Sequence, residues 1–187
     1  MLVLSIDVGV LNMAFVVLRI NPVRFTVEEV VHAVKENITE CLDTKCRLEC
    51  CDERLLRFRN SVQVRHFIEK YRVWFDKCGI LLCEQQPPMG LVGIQNILHY
   101  EFPSMHLVSP RSMHAFYGIT HLDYDQRKVA VTSHAQSALA HFTAFQENER
   151  LHDIADAYCL AKCWLHKREV KAREDFIKRE WDKSDFV

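Results

Sequence analysis

Met1-Leu-Val-Leu-Ser-Ile-Asp7-Val-Gly9-Val-Leu-Asn12-Met-Ala-Phe-Val-Val-Leu-Arg-Ile20 contains two apolar runs divided by a short turn. Residues 2–6 are almost continuously apolar and rich in β-formers, as a strand covered on both faces should be. The turn from Val8 to Asn12 follows, and the second run, Met13 to Ile20, is stopped by Asn21-Pro22. Phe25 to Val34 holds several β-branched residues and reads as a third strand. Strands joined by such short connections can only pair antiparallel, so the chain opens with a meander.

Working outward, residues 35–51 are polar and Cys-rich with no clear period, which reads as a loop or insertion. Asp52 and Glu53 supply the negative charge that favours a helix start. Leu55, Phe58, Val62, Val64, Phe67, Ile68, Tyr71 and Phe75 then recur at helical spacing up to Gly79, a C-cap candidate. Ile80 to Glu84 is a short buried strand ending in a carboxylate and broken by Pro87-Pro88. A helix is expected over 90–100, a strand over 105–109 ended by Pro110, and an Ala-rich helix over 125–142. His152 to His166 carries Ala157, Leu160, Ala161 and Trp164 on one stripe. The order β-β-β-α-β-α-β-α-α describes an α/β domain, a mixed sheet flanked by helices, over residues 1–166. Residues 167–187, with seven basic and six acidic side chains, form a charged helix or tail.

Composition narrows the function. With 187 residues, 49% hydrophobic, and only 5 Gly and 5 Pro, the chain is neither disordered nor fibrous. Its 24 Lys+Arg against 25 Asp+Glu exclude coating nucleic acid or anionic membrane by bulk charge, so any basic surface must be concentrated. One concentration exists: Lys45 to Arg72 holds eight Lys/Arg against four Asp/Glu. No apolar run reaches the ~18–20 residues of a membrane span, and the first residues lack a signal peptide's features, so an intracellular protein is expected. Its eight cysteines are then read as thiols. Cys41, Cys46, Cys50 and Cys51, with His32 upstream, are ligand types that zinc accepts. Their spacing is not the paired arrangement of zinc ribbons, which leaves structural Zn²⁺ as the lesser alternative to ordinary thiols.

Chemistry concentrates in four carboxylates. Asp7 and Glu84 each close a strand, and Asp153 and Asp156 share one face of the last helix's first turn. Ligands of open α/β sheets collect at the carboxyl ends of strands. Carboxylates crowded there repel one another and, when buried, resist ionisation, so they stay charged only with cations between them. Hard oxygen ligands suit Mg²⁺, with Mn²⁺ as substitute. Two such ions would serve phosphodiester hydrolysis. Taken singly, Asp153 reads as a helix-start charge and Asp7 as a turn former; their joint placement carries the inference. His152, just before the pair, is a candidate for proton transfer or for orienting water.

Ser5-Ile-Asp7-Val-Gly9-Val-Leu-Asn12 resembles the first-strand motif of RuvC-type Holliday junction resolvases, most nearly their poxviral and mitochondrial branches. Leu81-Leu-Cys-Glu84-Gln-Gln-Pro87 is similar to their strand ending in Glu-x-Gln-Pro. Leu107-Val-Ser-Pro110, Tyr124-Asp-Gln-Arg127-Lys128 and His152-Asp153-Ile-Ala-Asp156-Ala157 match further segments in family order. The resemblance implies a ribonuclease H-like fold, a homodimer, and paired incisions in a four-way DNA junction during recombination or resolution of replicated genomes. It places the two-metal role on Asp7, Glu84, Asp153 and Asp156, and a phosphate-contacting role on Arg127 and Lys128. Asn12 is implied to fix the first turn or orient Asp7, with Gln85 beside the catalytic Glu. Pro87, Pro88 and Met89 stand where bacterial relatives carry an aromatic wedge, leaving Met89, Leu91 or Tyr100 as substitutes. Arg57, Arg65 and Arg111 join Arg127 and Lys128 as DNA-binding candidates, and the stripe Phe67, Tyr71, Trp74, Phe75 is either core or dimer surface. No small-molecule cofactor and no membrane are expected. A viral replication site is the first expected location, a mitochondrion the second.

Three other classes are weighed. Actin-like and sugar-kinase ATPases need a second Asp-x-Gly loop and about twice this length, whereas Asp7-Val-Gly9 is the sole Asp-x-Gly here. Another ribonuclease H-like nuclease, cutting flaps or hybrids, shares the carboxylates and differs only in substrate. A non-catalytic junction-binding module has no need of them.

Overall fold

The computed structural model describes residues 1–9, 11–38, 59–88, 91–146 and 151–184. Three strands open the chain, β1 (Leu2–Val8), β2 (Asn12–Asn21) and β3 (Thr26–Asn37). They pair antiparallel in sequence order, with Ile6 opposite Phe15 and Phe15 opposite Val34. The third strand runs three residues into the segment expected to be loop. Helices α1 (Arg59–Lys70) and α2 (Arg72–Lys77) lead into β4 (Ile80–Glu84). Then come α3 (Val92–Glu101), β5 (His106–Val108), α4 (Pro110–Phe116), α5 (Tyr124–Leu139), α6 (Thr143–Gln146) and α7 (Leu151–Ser184). The sheet order is β3-β2-β1-β4-β5, with β4 parallel to both β1 and β5. This is the mixed sheet that the sequence implies.

Strand periodicity assigns the two faces. Leu4, Ile6, Val8, Leu81 and Cys83 point to a core shared with α1, α2 and α3. Val3 and Leu82 point the other way, into a core shared with α4, α5 and α7. Alternation therefore sends Asp7 and Glu84 to the α7 side. On that side α7 lays down Ala155, Ala157, Cys159, Ala161 and Cys163, all buried; side chains this small let its backbone lie close to the sheet.

Local details refine or differ from the reading above. The long helix breaks at Tyr71, which separates α1 from α2. Its hydroxyl donates to Glu36 Oε2 at 2.5 Å, while Lys70 Nζ donates to Glu36 Oε1 at 2.6 Å. These bonds tie the break to β3. The aromatic stripe is core: Phe67 and Phe75 are 2% exposed and pack with Phe15, and Trp74 stacks on His32 at 4.8 Å. The last helix runs unbroken from Leu151 to Ser184, with the charged residues from 167 onward continuing it. Pro110, read as a strand stop, occupies the first turn of α4, where its fixed φ and missing N–H cost nothing. Cys41, Cys46, Cys50, Cys51, Arg54, Arg57 and Met89 lie outside the described residues. Among the described residues no helix is long and apolar enough to cross a membrane.

Candidate active site

Ile6 pairs with Cys83 across the parallel strands, which carries the next residues, Asp7 and Glu84, to the same level at the strands' carboxyl ends. The first turns of α7 bring Asp153 and Asp156 over them, 7% and 8% exposed. All four line one cleft of about 320 Å³, together with Gly9, Pro110, His114, Tyr124, Arg127 and Lys128. The carboxylates drawn from three distant parts of the sequence thus meet.

Gly9 makes the first turn possible. A Cβ there would stand 2.2 Å from the carbonyl oxygen of Asn12, closer than real Cβ contacts come. Only glycine lets the chain leave β1 and re-enter β2 so tightly. Asn12 faces Asn37 at the start of β2 and does not line the cleft, so its contribution is this backbone approach.

The electrostatics are those of crowded, desolvated acids. Burial raises the Asp7 carboxyl well above the ordinary range, and the charges of Glu84 and Asp156 raise it further. Glu84 and Asp156 are also raised, first by burial. A hydrogen bond joins Asp7 to Glu84, raising the former and favouring ionisation of the latter. Lys128 opposes the repulsion. Its Nζ donates to Asp156 Oδ2 at 2.5 Å, and its charge also acts on Asp7 and Glu84. Burial works against the charged ammonium, yet Asp156 and Asp7 outweigh it and raise the Lys128 pKa.

The remaining predicted residues divide. Arg127 lines the cleft while its guanidinium donates to Leu122 O at 2.8 Å. Arg111 is exposed on the first turn of α4, beside the cleft wall. Arg65 is far less central: it sits on α1 with Glu101 at 3.9 Å and lines a different hollow. His152 is half-buried, with Nε2 3.1 Å from Asp153 Oδ1, and lies outside the lining. Gln85 is exposed and is replaced in its supporting role by Gln86, whose Nε2 donates to Glu84 Oε2 at 2.9 Å. The backbone N–H of Gln86 donates in turn to Gln95 Oε1 at 2.7 Å. The alternation of extended chain gives the signal for this: Gln86, two residues on, shares the side of Glu84. His114 and Tyr124 are additional lining residues that the sequence reading did not single out.

Among the described residues no three His, Cys, Asp or Glu side chains surround one point closely enough to hold a cation as they stand. Lys128 takes that electrostatic place. The donor set nevertheless fits a hard divalent ion, since it is all carboxylate oxygen and holds more acid than one ammonium neutralises. Asp7, Glu84, Asp153 and Asp156 are the residues that would hold it.

A five-stranded mixed sheet in the order 3-2-1-4-5, covered by helices on both faces, is a ribonuclease H-like fold. More narrowly, it is the fold of the RuvC-type resolvases. The chain is similar to the fowlpox virus resolvase in complex with substrate Holliday junction DNA. The TM-score is 0.61 at 14% identity, covering 89% of this chain and 98% of that one. It is similar to Thermus thermophilus RuvC with a TM-score of 0.51 at 12% identity, over 90% and 98% of the two chains. Against that RuvC in complex with a Holliday junction substrate the TM-score is 0.50, at the same identity and coverage. No protein-family model and no curated protein matches the sequence.

Proposed function

We propose that this protein is a Mg²⁺-dependent endonuclease that resolves four-way DNA junctions by paired cuts. In this reading Asp7, Glu84, Asp153 and Asp156 are its catalytic, metal-holding carboxylates. The observation that carries the proposal is their convergence in one cleft with Lys128. The junction is supported as substrate by the fold shared with resolvases bound to Holliday junction DNA.

Divalent cations, when bound, neutralise the carboxylates and draw charge from the phosphodiester oxygens. Every other part is played by the chain. With the repulsion between them offset, Asp7 and Glu84 would both act as acceptors. Gln86 holds one Glu84 oxygen and fixes the orientation of the other. Lys128 exchanges Asp156 for a phosphate oxygen, one charge-assisted bond for another. Arg127 and Arg111 are assigned contacts to the flanking phosphodiester backbone. A two-fold homodimer would present the site twice, matching the symmetry of a four-way junction.

Cleavage assays on junction, flap, RNA–DNA hybrid and duplex with Mg²⁺ test the reading. Junctions should be cut preferentially, and Asp7→Asn or Glu84→Gln should abolish cutting while retaining binding. Undiminished cutting by these variants discards the carboxylate assignment. Preferred cutting of hybrids or flaps makes the protein a different ribonuclease H-like nuclease, and binding without cutting makes it a junction-binding module. Elution as a monomer on gel filtration removes the dimer.

A further inference from the structure

Tyr124 is a lining residue of the cleft that the carboxylate chemistry does not use. Its side chain is 58% exposed, so burial does not explain an aromatic residue there. The Lys128 ammonium lies over its ring, 5.5 Å from the centroid. The backbone position of Tyr124 is fixed. Tyr124 opens α5, directly after a capping box in which Asp123 accepts from the Gln126 N–H at 2.9 Å and Gln126 Oε1 accepts from the Asp123 N–H at 3.2 Å. An exposed π-face therefore lines the same cleft as Lys128 and Arg127.

A nucleotide presents an anionic phosphate and a flat base separated by one sugar. A phosphate on Lys128 would leave its own or the adjacent base beside the Tyr124 ring. We propose that Tyr124 is a substrate-positioning residue, the platform on which a base flanking the scissile phosphate stacks. This rests on the nuclease reading above and adds a contact to the base, which the phosphate contacts do not provide. Stacking on an aromatic ring is tolerant of sequence, because every base has a π-face. Tyr124 would hold a splayed nucleotide without choosing its identity.

The bland alternative is that Tyr124 merely covers the Lys128 stem, a task a leucine performs equally well. Two variants separate the readings. Tyr124→Leu should raise KM for junction cleavage about 5- to 150-fold, with a smaller change in kcat. Tyr124→Phe should restore the wild-type KM. A junction carrying 2-aminopurine beside the mapped cut should be quenched by the wild type and by Tyr124→Phe, and not by Tyr124→Leu. The salt dependence of binding should keep its slope in Tyr124→Leu, since no phosphate contact is lost. Wild-type KM and full quenching in Tyr124→Leu would overturn the proposal while leaving the nuclease reading intact. A wild-type protein that cuts no nucleic acid would overturn both.

Discussion

Gly9→Ala isolates the link between the first turn and the chemistry. The new Cβ would lie 2.2 Å from Asn12 O, and real Cβ contacts essentially never fall below 3.0 Å. The turn must therefore open by about 0.8 Å. The obstacle is backbone, held by the pairing of β2 with both β1 and β3, so no flexible side chain can absorb the strain. Overpacking of this kind costs about 1–3 kcal/mol, within what a domain this size survives. Asp7 is two residues away and must move with the turn. A catalytic group displaced by about 1 Å loses on the order of 10²-fold in rate. The cations proposed to bind phosphate lie on other elements, so junction affinity should change little. Single-turnover cleavage beside thermal unfolding and junction binding reads all three quantities. Gly93→Ala on α3 is the matched control: its Cβ would meet nothing within 4 Å, and exchange of a helical Gly for Ala should stabilise by about 0.5 kcal/mol. A folded Gly9→Ala protein that cleaves within about twofold of wild type would refute the idea that this turn positions Asp7.

Lys128→Met leaves Asp156 buried without its ammonium, so the metal-free protein should lose about 3 kcal/mol. Added Mg²⁺ should then raise its Tm by more than it raises the wild type's; equal shifts would show that Lys128 does not stand in for a cation. Stability of the metal-free protein should fall as pH rises. An unfolded carboxyl ionises near 4, while Asp7, Glu84 and Asp156 ionise later when folded, so above that pH the folded state binds the extra protons and loses stability. Thermal melts from pH 4 upward should show the decline, with a shallower slope in Asp7→Asn; a flat wild-type profile contradicts it. Gln86→Ala should slow cleavage about tenfold by releasing Glu84, whereas Gln85→Ala should not; equal effects in the rate assay would remove the distinction.

Much of the site was legible because it lies where periodicity is strongest. The apolar runs of β1 and β4 end at Asp7 and Glu84, and α7 announces itself by the stripe that follows Asp153 and Asp156. Strand alternation alone then places the first pair on the face that α7 covers. What escaped depends on geometry between elements. Pro110 is compatible with ending a strand and with starting a helix, and only the packing of Met113 against α7's core selects α4. His114 joins the cleft through that helix with no local pattern to mark it, and Tyr124 joins through α5, at the head of a quoted segment whose notable residues were Arg127 and Lys128. Gln85 and Gln86 differ only in which way extended chain turns them. The aromatic stripe is equally apt for core and interface until β2 supplies Phe15 as its partner.

Helix α7 spans 34 residues, about 50 Å at 1.5 Å per residue, and only its first half is clamped. Ile154 to Leu165 lie against the sheet, whereas the side chains from 170 to 179 stand in water. One continuous rod therefore samples two thermodynamic regimes: amides near Asp156 exchange their hydrogens only when the sheet itself comes apart, and those at the far end exchange by local unwinding. Unravelling of the outer turns stops well short of the carboxylates, so the cleft is insulated from the helix's exposed tip.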